Sequence, residues 1–189
     1  MDEIKLLENQ LKRMRSMNKF YHLQFLNDVR YFFVLGLISL VISFNNEKTL
    51  YLLPLISLFG SVILAFHAYY LIFSRNYSEF LEKKINNYLN KDAYITHKLE
   101  NAYFFPIQDK KIVVAKLGKD FSWFSFVTLF ITFYGISLYV YGIYNILVTL
   151  NNINYFMFII FLTLVTFAVG YWWFINNEGE ARLSSVYDE

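Results

Sequence analysis

Three long, uncharged apolar runs constrain this chain more than any other feature of its sequence. Residues 50–73, 121–150 and 153–175 are runs of 24, 30 and 23 residues without Asp, Glu, Lys or Arg. A bilayer core is roughly 30 Å thick and needs about 20 helical residues to cross it. Fully buried helices of a soluble protein are the alternative, but several such runs in 189 residues leave too little polar chain to cover them. The runs therefore predict transmembrane helices.

A fourth run, residues 31–44, is shorter and would be about 21 Å long as a helix. It can cross a bilayer if residues 25–30 enter one interface, where Arg30 keeps its charge among the headgroups. We expect an all-α integral membrane protein with four transmembrane helices as two helical hairpins. The expected segments are a cytoplasmic amphipathic helix (1–29), hairpin 1 (30–73), a small cytoplasmic cap (74–120) in which residues 103–117 resemble a β-hairpin, hairpin 2 (121–175) and a cytoplasmic tail (176–189).

Basic residues are distributed very unequally among the segments between these runs. Every Lys and Arg except Lys48 lies in residues 1–30, 74–120 or 176–189. Because Lys- and Arg-rich loops stay in the cytoplasm, we expect a multi-pass protein of the inner (plasma) membrane with both termini cytoplasmic. Aromatic residues at the ends of the runs are expected to lie at headgroup level with Arg30. They are Tyr69, Tyr70, Trp123, Trp172 and Trp173.

Small and weakly polar residues recur at spacings of three or four along each run. Lipid gives helices no hydrophobic reason to associate, so close packing depends on residues of this kind. We expect them to form the packing seams of a four-helix bundle; the alternative, lining a pore, would require several subunits. The residues are Gly36, Ser39, Ser43, Ser57, Ser61, Ala65, Thr128, Thr132, Gly135, Gly142, Thr163, Thr166 and Gly170.

Two amphipathic stretches lie outside the apolar runs. Residues 3–28 are expected to form a helix that either lies on anionic lipid headgroups or makes a coiled coil with another subunit. Residues 77–89 are expected to form a second helix, with Glu82 and Asn86 off its apolar face. In the short gap after residue 44, we expect Thr49 to cap the next helix and Asn45 or Asn46 to adopt left-handed geometry.

The sequence offers no recognisable catalytic or metal-binding pattern. It contains no Cys, which excludes disulfides and thiolate chemistry. His22, His67 and His97 lie in different segments without acidic residues at ligand spacing, and no Gly-rich phosphate loop or triad spacing occurs. The apolar runs also lack the charged residues of a proton-coupled transporter. We expect no catalytic residue, metal ion or cofactor.

The most specific functional expectation is a non-enzymatic, oligomeric membrane subunit: a pore, a membrane-perturbing effector or an anchor for a cytoplasmic protein. It depends on the small-residue seams and on two amphipathic helices that a monomer is expected not to bury. One alternative is a ligand-sensing membrane effector of a bacterial defence system, with the central cytoplasmic segment as sensor. Another is a lipid-modifying membrane enzyme. Expected partners are membrane lipids, further copies or subunits of a membrane complex, and a cytoplasmic protein; nucleic acid is not expected, because juxtamembrane basic residues favour lipid phosphate.

Overall fold

The computed structural model describes residues 2–103 and 123–175. Within these ranges the chain is helical and contains no strand. The elements are α1 (Asp2–Ser43), a 3₁₀ turn (Glu47–Tyr51), α2 (Leu52–Leu89), α3 (Thr96–Tyr103), α4 (Trp123–Val148), α5 (Ile153–Gly170) and a π-helical turn (Tyr171–Ile175). Residue 103 ends α3, and the rest of the β-hairpin expected at 103–117 lies outside the described residues, as does the tail at 176–189.

Within residues 2–103 and 123–175, four helical stretches are long and apolar enough to cross a membrane. They are Glu3–Ser43, Glu47–Leu89, Phe126–Val148 and Ile153–Trp173. The prediction of an all-helical protein with four such helices is therefore confirmed. The first two are far longer than a bilayer requires: α1 has 42 residues and α2 has 38, which corresponds to about 63 and 57 Å.

The chain divides into two compact units. The first, here called the polar unit, comprises Met1–Asn27 and Ala65–Phe130; the second, the apolar unit, comprises Asp28–Leu64 and Ile131–Glu189. Helices α1 and α2 are each continuous and contribute residues to both.

The core of the polar unit joins the two amphipathic stretches of the sequence to each other. Leu7 and Leu11 of α1 pack with Leu81 and Ile85 of α2, and all four side chains are buried. The apolar side chains of Leu7 and Leu11 in residues 3–28 are thus covered by α2 of the same chain. The expectation that a monomer cannot bury these helices is wrong. A seven-residue apolar pattern indicates a helical partner, but it does not say whether that helix belongs to the same chain or to another subunit.

In the apolar unit, α1, α2 and α4 share a small core. Leu50 and Leu53 pack with Leu138, and all three are almost fully buried. Large apolar side chains elsewhere on these helices point outward, as expected for helices that face lipid.

Asparagine residues shape the chain where helices end. Asn46, not Thr49, caps the 3₁₀ turn, and its side chain accepts a hydrogen bond from the Lys48 backbone N–H. Its φ of −139° is extended, so the left-handed geometry expected there is absent at Asn46. That geometry occurs instead at Asn90, with φ 50°, and at Asn151, with φ 47°, because Asn tolerates it better than other side chains.

Candidate functional site: an ionic cluster joining three helices

A polar stripe runs along the part of α2 that belongs to the polar unit. Ser74, Ser78, Glu82 and Asn86 follow one another at four-residue spacing and are all buried. The two serine hydroxyls donate to carbonyl oxygens one turn back in the same helix, so the small side chains are satisfied without outside partners. The stripe therefore lets a neighbouring segment approach α2 closely and presents one carboxylate and one amide to it.

Glu82 lies at the centre of the cluster, with only 1% of its side chain exposed. Its carboxylate accepts from the Arg15 guanidinium of α1 and, at 2.9 Å, from the His97 backbone N–H of α3. The His97 ring nitrogen Nδ1 lies 2.8 Å from the same carboxylate and donates to it, since an ionised carboxylate only accepts. Burial raises the pKa of Glu82, but the hydrogen bonds from His97 and Arg15 outweigh it and hold that pKa below its ordinary value.

A second carboxylate, Glu100 of α3, completes the cluster. The other branch of the Arg15 guanidinium donates to Glu100 Oε1. On the opposite side, Arg75 Nε of α2 lies 3.8 Å from Glu100 Oε2. The Arg75 side chain is 6% exposed; its burial lowers the pKa of the guanidinium, and Glu100 offsets part of that effect. Arginine nevertheless stays charged in proteins. Two cations from α1 and α2 thus face two carboxylates, one of them supplied by α3.

Asn86 attaches the segment that leads into α3. Its carboxamide oxygen accepts from the backbone N–H groups of Ala93 and Tyr94 at 3.1 and 2.8 Å, and its amide nitrogen donates to the Tyr94 carbonyl oxygen at 2.7 Å. The turn begins at Asn90, where α2 has just ended. One side chain therefore replaces the backbone partners that this short connection lacks.

The side chains of residues 96–100, the part of α3 whose side chains are described, add little apolar contact to this attachment. Among residues 96–100, whose side chains the structure describes, His97 alone is buried. Leu99 is 56% exposed, and Ile95, just before the helix, is 48% exposed. Over these residues α3 is held by hydrogen bonds and charge rather than by a hydrophobic face.

Sequence patterns do not reveal this cluster, because its members are far apart in the chain. Glu82 is 15 residues from His97 and 67 from Arg15, so no ligand spacing reveals their contact. Glu82 and Asn86 were expected off the apolar face of their helix, and they are, but α3 covers that second face. The available signal was the four-residue repeat of Ser74, Ser78, Glu82 and Asn86, which places four polar side chains in one line along the helix.

In the apolar unit, several of the residues expected to form packing seams lie against neighbouring helices of the same chain. A Cβ atom added to Gly36 would lie 2.5 Å from both Leu138 Cδ1 and the Tyr134 hydroxyl. One added to Gly142 would lie 2.7 Å from Pro54 Cδ. The glycines therefore permit a close approach that any larger residue would prevent.

Polar contacts accompany this packing. Ser57 is buried and donates to the Gly135 carbonyl oxygen at 2.8 Å. The hydroxyls of Thr163 and Tyr139 lie 2.7 Å apart and join α5 to α4. A glycine that the sequence analysis passed over, Gly60, lies against the Phe32 ring, 2.3 Å from where its Cβ would be.

Three other residues of the expected seams make local hydrogen bonds. Ser43, Ser61 and Thr166 donate to carbonyl oxygens of their own helices. A Cβ on Gly170 would have no described atom within 4 Å. Ser39 is buried, Thr128 is half-buried, and Ala65 and Thr132 are exposed.

Three of the residues expected at the membrane interface take part in aromatic pairs. Tyr70 stacks on Tyr21 with ring centroids 5.1 Å apart, and the rings of Trp172 and Trp173 are 6.0 Å apart. Tyr69 is buried and Arg30 is exposed; Trp123 is the first residue of α4. Their position at headgroup level stays a prediction.

Comparison of the chain with protein-family models, with curated proteins and with solved structures finds no match.

Proposed function

We propose that the chain is a non-enzymatic, four-pass protein of the inner (plasma) membrane, with two helical hairpins and both termini in the cytoplasm. The short connections support this arrangement: α1 and the next helical turn are separated by residues 44–46, and α4 and α5 by residues 149–152. Connections of this length are typical of antiparallel neighbours in bundles. The near-absence of Lys and Arg from these two connections supports the orientation.

Single cysteines test this orientation without background, since the chain has none of its own. In intact cells, an impermeant maleimide should label Lys48→Cys, and it should label Lys91→Cys only after permeabilisation. Labelling of Lys91→Cys from outside intact cells would reject the proposed topology.

We further propose that this membrane protein is an effector controlled by its polar unit. Its transmembrane helices would respond to whether α3 is attached to α1 and α2 or released from them. The ionic cluster carries this proposal. Buried ion pairs contribute little net stability compared with apolar residues of the same size, but they specify one arrangement. An element held by charge can be released by a competing charge or by loss of one partner, whereas the Leu7–Ile85 core cannot. This corresponds to the ligand-sensing effector considered from the sequence.

Leakage from proteoliposomes tests the effector function. The variant Arg15→Met removes the guanidinium that joins Glu82 to Glu100 and should release α3. We expect faster leakage of a small encapsulated dye than with the parent chain. Arg13→Met is the matched control, because Arg13 is an exposed residue of the same helix. Equal leakage from both variants and from the parent would reject the effector proposal.

We further propose that the working form is an oligomer in the membrane. On α5, Phe161, Leu164 and Phe167 are all more than 60% exposed, and Gly170 has open space beside it within the described chain. A small residue among large exposed ones favours close approach of another helix. Oxidation of Gly170→Cys in membranes should give a crosslinked dimer, whereas Phe59→Cys, exposed on α2, should give less. A strictly monomeric product from both would contradict an oligomer through this face.

A further inference from the structure

Arg30 is an exposed cation of the apolar unit, and it lies near the level at which α1, α2 and α4 are in contact. The Phe32 ring, two residues further along α1, packs against Gly60 of α2 and Gly135 of α4. Each of these glycines lies near the middle of the long uncharged run that contains it. Because two residues of a helix span about 3 Å, Arg30 is close to the middle of the uncharged runs and far from their ends.

The distance from Arg30 to the end of α1 is smaller than the thickness of a bilayer core. Ser43, the last residue of α1, is 13 residues further on, which corresponds to about 20 Å. A bilayer core is roughly 30 Å thick, so a core that begins at the end of α1 extends about 10 Å beyond Arg30. Shifting the core in the other direction would enclose Glu47 and Lys48 instead, and tilting the helix would shorten the distance further.

Arg30 lies on the exposed face of α1. Val34, Ile38 and Val41 follow it at helical spacing, and about half of each of these apolar side chains is exposed. A helix face of large, exposed apolar side chains is typical of a helix that contacts lipid. The Arg30 side chain therefore leaves α1 on the side that acyl chains cover.

The described part of the apolar unit offers Arg30 no acidic partner at its level. Residues 28–64 and 131–175 contain two acidic residues, Asp28 and Glu47. Asp28 is two residues away along α1 and therefore lies on another side of the helix, and Glu47 follows the far end of α1. A charge in the bilayer core is costly, and the cost is relieved where the bilayer thins and headgroups or water reach the charge.

The chemistry of the guanidinium group selects the anion that can reach it. Guanidinium groups bind phosphate oxygens through paired, directional N–H donors, and the headgroups of the nearer leaflet carry phosphate. When an apolar stretch is shorter than the core is thick, the bilayer beside it becomes thinner. On α2, residues 50–73 give about 36 Å without a charge, so no such thinning is required there.

We propose that Arg30 binds the phosphate of a phospholipid in the leaflet toward the N-terminal end of α1, and that the bilayer is thinner beside α1 than beside α2. This goes beyond the effector function and rests only on the proposed four-pass arrangement. A second copy of the chain packed on the same face is the competing explanation, because it would also shield Arg30 from acyl chains. The two explanations differ in whether small probes from lipid and water reach this face.

Spin labels on single cysteines measure this thinning in the full chain, reconstituted in vesicles of phosphatidylcholine and phosphatidylglycerol. Collisions with oxygen and with a water-soluble nickel complex give the depth of each label below the nearer lipid surface. At Val34→Cys, four residues from Arg30, we expect a depth of about 6 Å in the otherwise unchanged chain. In combination with Arg30→Leu the depth should increase to about 14 Å, which corresponds to the nine residues between Val34 and Ser43.

Three controls accompany this measurement. Phe59 is exposed on α2 at nearly the same level as Val34, and the depth of a label at Phe59→Cys should not change with Arg30→Leu. Arg30→Gln is uncharged but polar, and it should deepen the Val34 label as Arg30→Leu does. Lys48→Gln removes an exposed positive charge from the 3₁₀ turn after α1 and should leave the depth of the Val34 label unchanged.

Solid-state NMR tests the phosphate contact itself. The five arginines of the chain are labelled with ¹³C in the guanidinium group, and the signal of Arg30 is the one that disappears in Arg30→Lys. We expect the ³¹P nuclei of the lipid to dephase this signal, because a guanidinium group bound to phosphate holds the two nuclei close together. An Arg30 signal without dephasing would overturn the assignment of phosphate as the ligand.

Unchanged depth at Val34 in both uncharged variants would also overturn the inference, as would an equal shift at Phe59, which means that the whole chain moves in the bilayer. A Val34 label that neither oxygen nor the nickel complex reaches would reject lipid on this face in favour of a second copy. Labelling of Lys48→Cys and Lys91→Cys tests the four-pass arrangement separately and does not depend on Arg30. Failure of this inference is therefore distinguishable from failure of the proposed topology.

Discussion

Replacing Arg15 by Met should detach α3 from the polar unit while leaving the α1–α2 core in place. The Arg15 side chain joins Glu82, which is 1% exposed, to Glu100, which is 17% exposed. Removing one partner of a buried ion pair costs about 3–5 kcal/mol, because the remaining charge stays buried without compensation. Arg15 is itself 23% exposed, so water reaches part of the site and the lower end, about 3 kcal/mol, applies. That is a change of about two orders of magnitude in the opening equilibrium.

Hydrogen exchange of the His97 backbone amide measures this opening directly, since that N–H donates to Glu82. In Arg15→Met its protection should fall by about two orders of magnitude, whereas amides near Leu81 and Ile85 keep theirs. Arg13→Met, on the exposed side of α1, should change protection by less than about threefold. A loss below about fivefold at His97 in Arg15→Met would refute the reasoning, because about 1 kcal/mol is the size of an ordinary surface effect.

Three other outcomes follow from the same contacts. The pKa of Glu82 lies below its ordinary 4.5 in the folded chain, so its contribution to stability is complete above about pH 4.5 and is lost as pH falls through the folded value; protection of the His97 amide, taken relative to its intrinsic exchange rate, should fall only in that acid range. Asn86→Ala removes three hydrogen bonds and should lower protection of the Tyr94 amide by about 2 kcal/mol, measured by the same exchange method. Gly142→Ala places a methyl group 2.7 Å from a proline ring and should lower the melting temperature in detergent, whereas Gly170→Ala, with no described atom within 4 Å, should leave it unchanged; equal melting temperatures would contradict the packing around Gly142.

The membrane character of the chain was predictable because it depends on composition over a fixed length. Residues 50–73 carry no charged side chain on any side of the helix, and 24 such residues are enough to cross a bilayer. The close contact between Ser57 and Gly135 was harder to predict from the sequence. The sequence shows which residues are small and how they are spaced. Which helix each of them contacts depends on the tertiary arrangement, which periodicity does not encode.

The ionic cluster was not predictable from the sequence for a different reason. A charged residue off an apolar face is usually solvated, and the sequence gives no reason to expect otherwise for Glu82. In the structure α3 covers it. Its partners come from helices that begin at Asp2 and Thr96, so the pairing depends on how α1 packs against α2 and how Asn86 turns the chain. Sequence patterns report local geometry, and this site is entirely non-local.

The two modes of attachment in the polar unit make α3 the element that can move. Helices α1 and α2 are joined by buried leucine and isoleucine side chains, whose association depends on apolar area and not on the charge of the surroundings. Over residues 96–100, helix α3 is joined to them by the carboxylates of Glu82 and Glu100 and by the His97 backbone N–H, whose interaction energies depend on charge. On the proposed effector function, loss of a charge in the cluster acts on α3 and leaves the apolar contacts between α1 and α2 in place. Local opening at α3 with an intact α1–α2 core is the behaviour that a switch requires, and a uniformly apolar interface would not provide it.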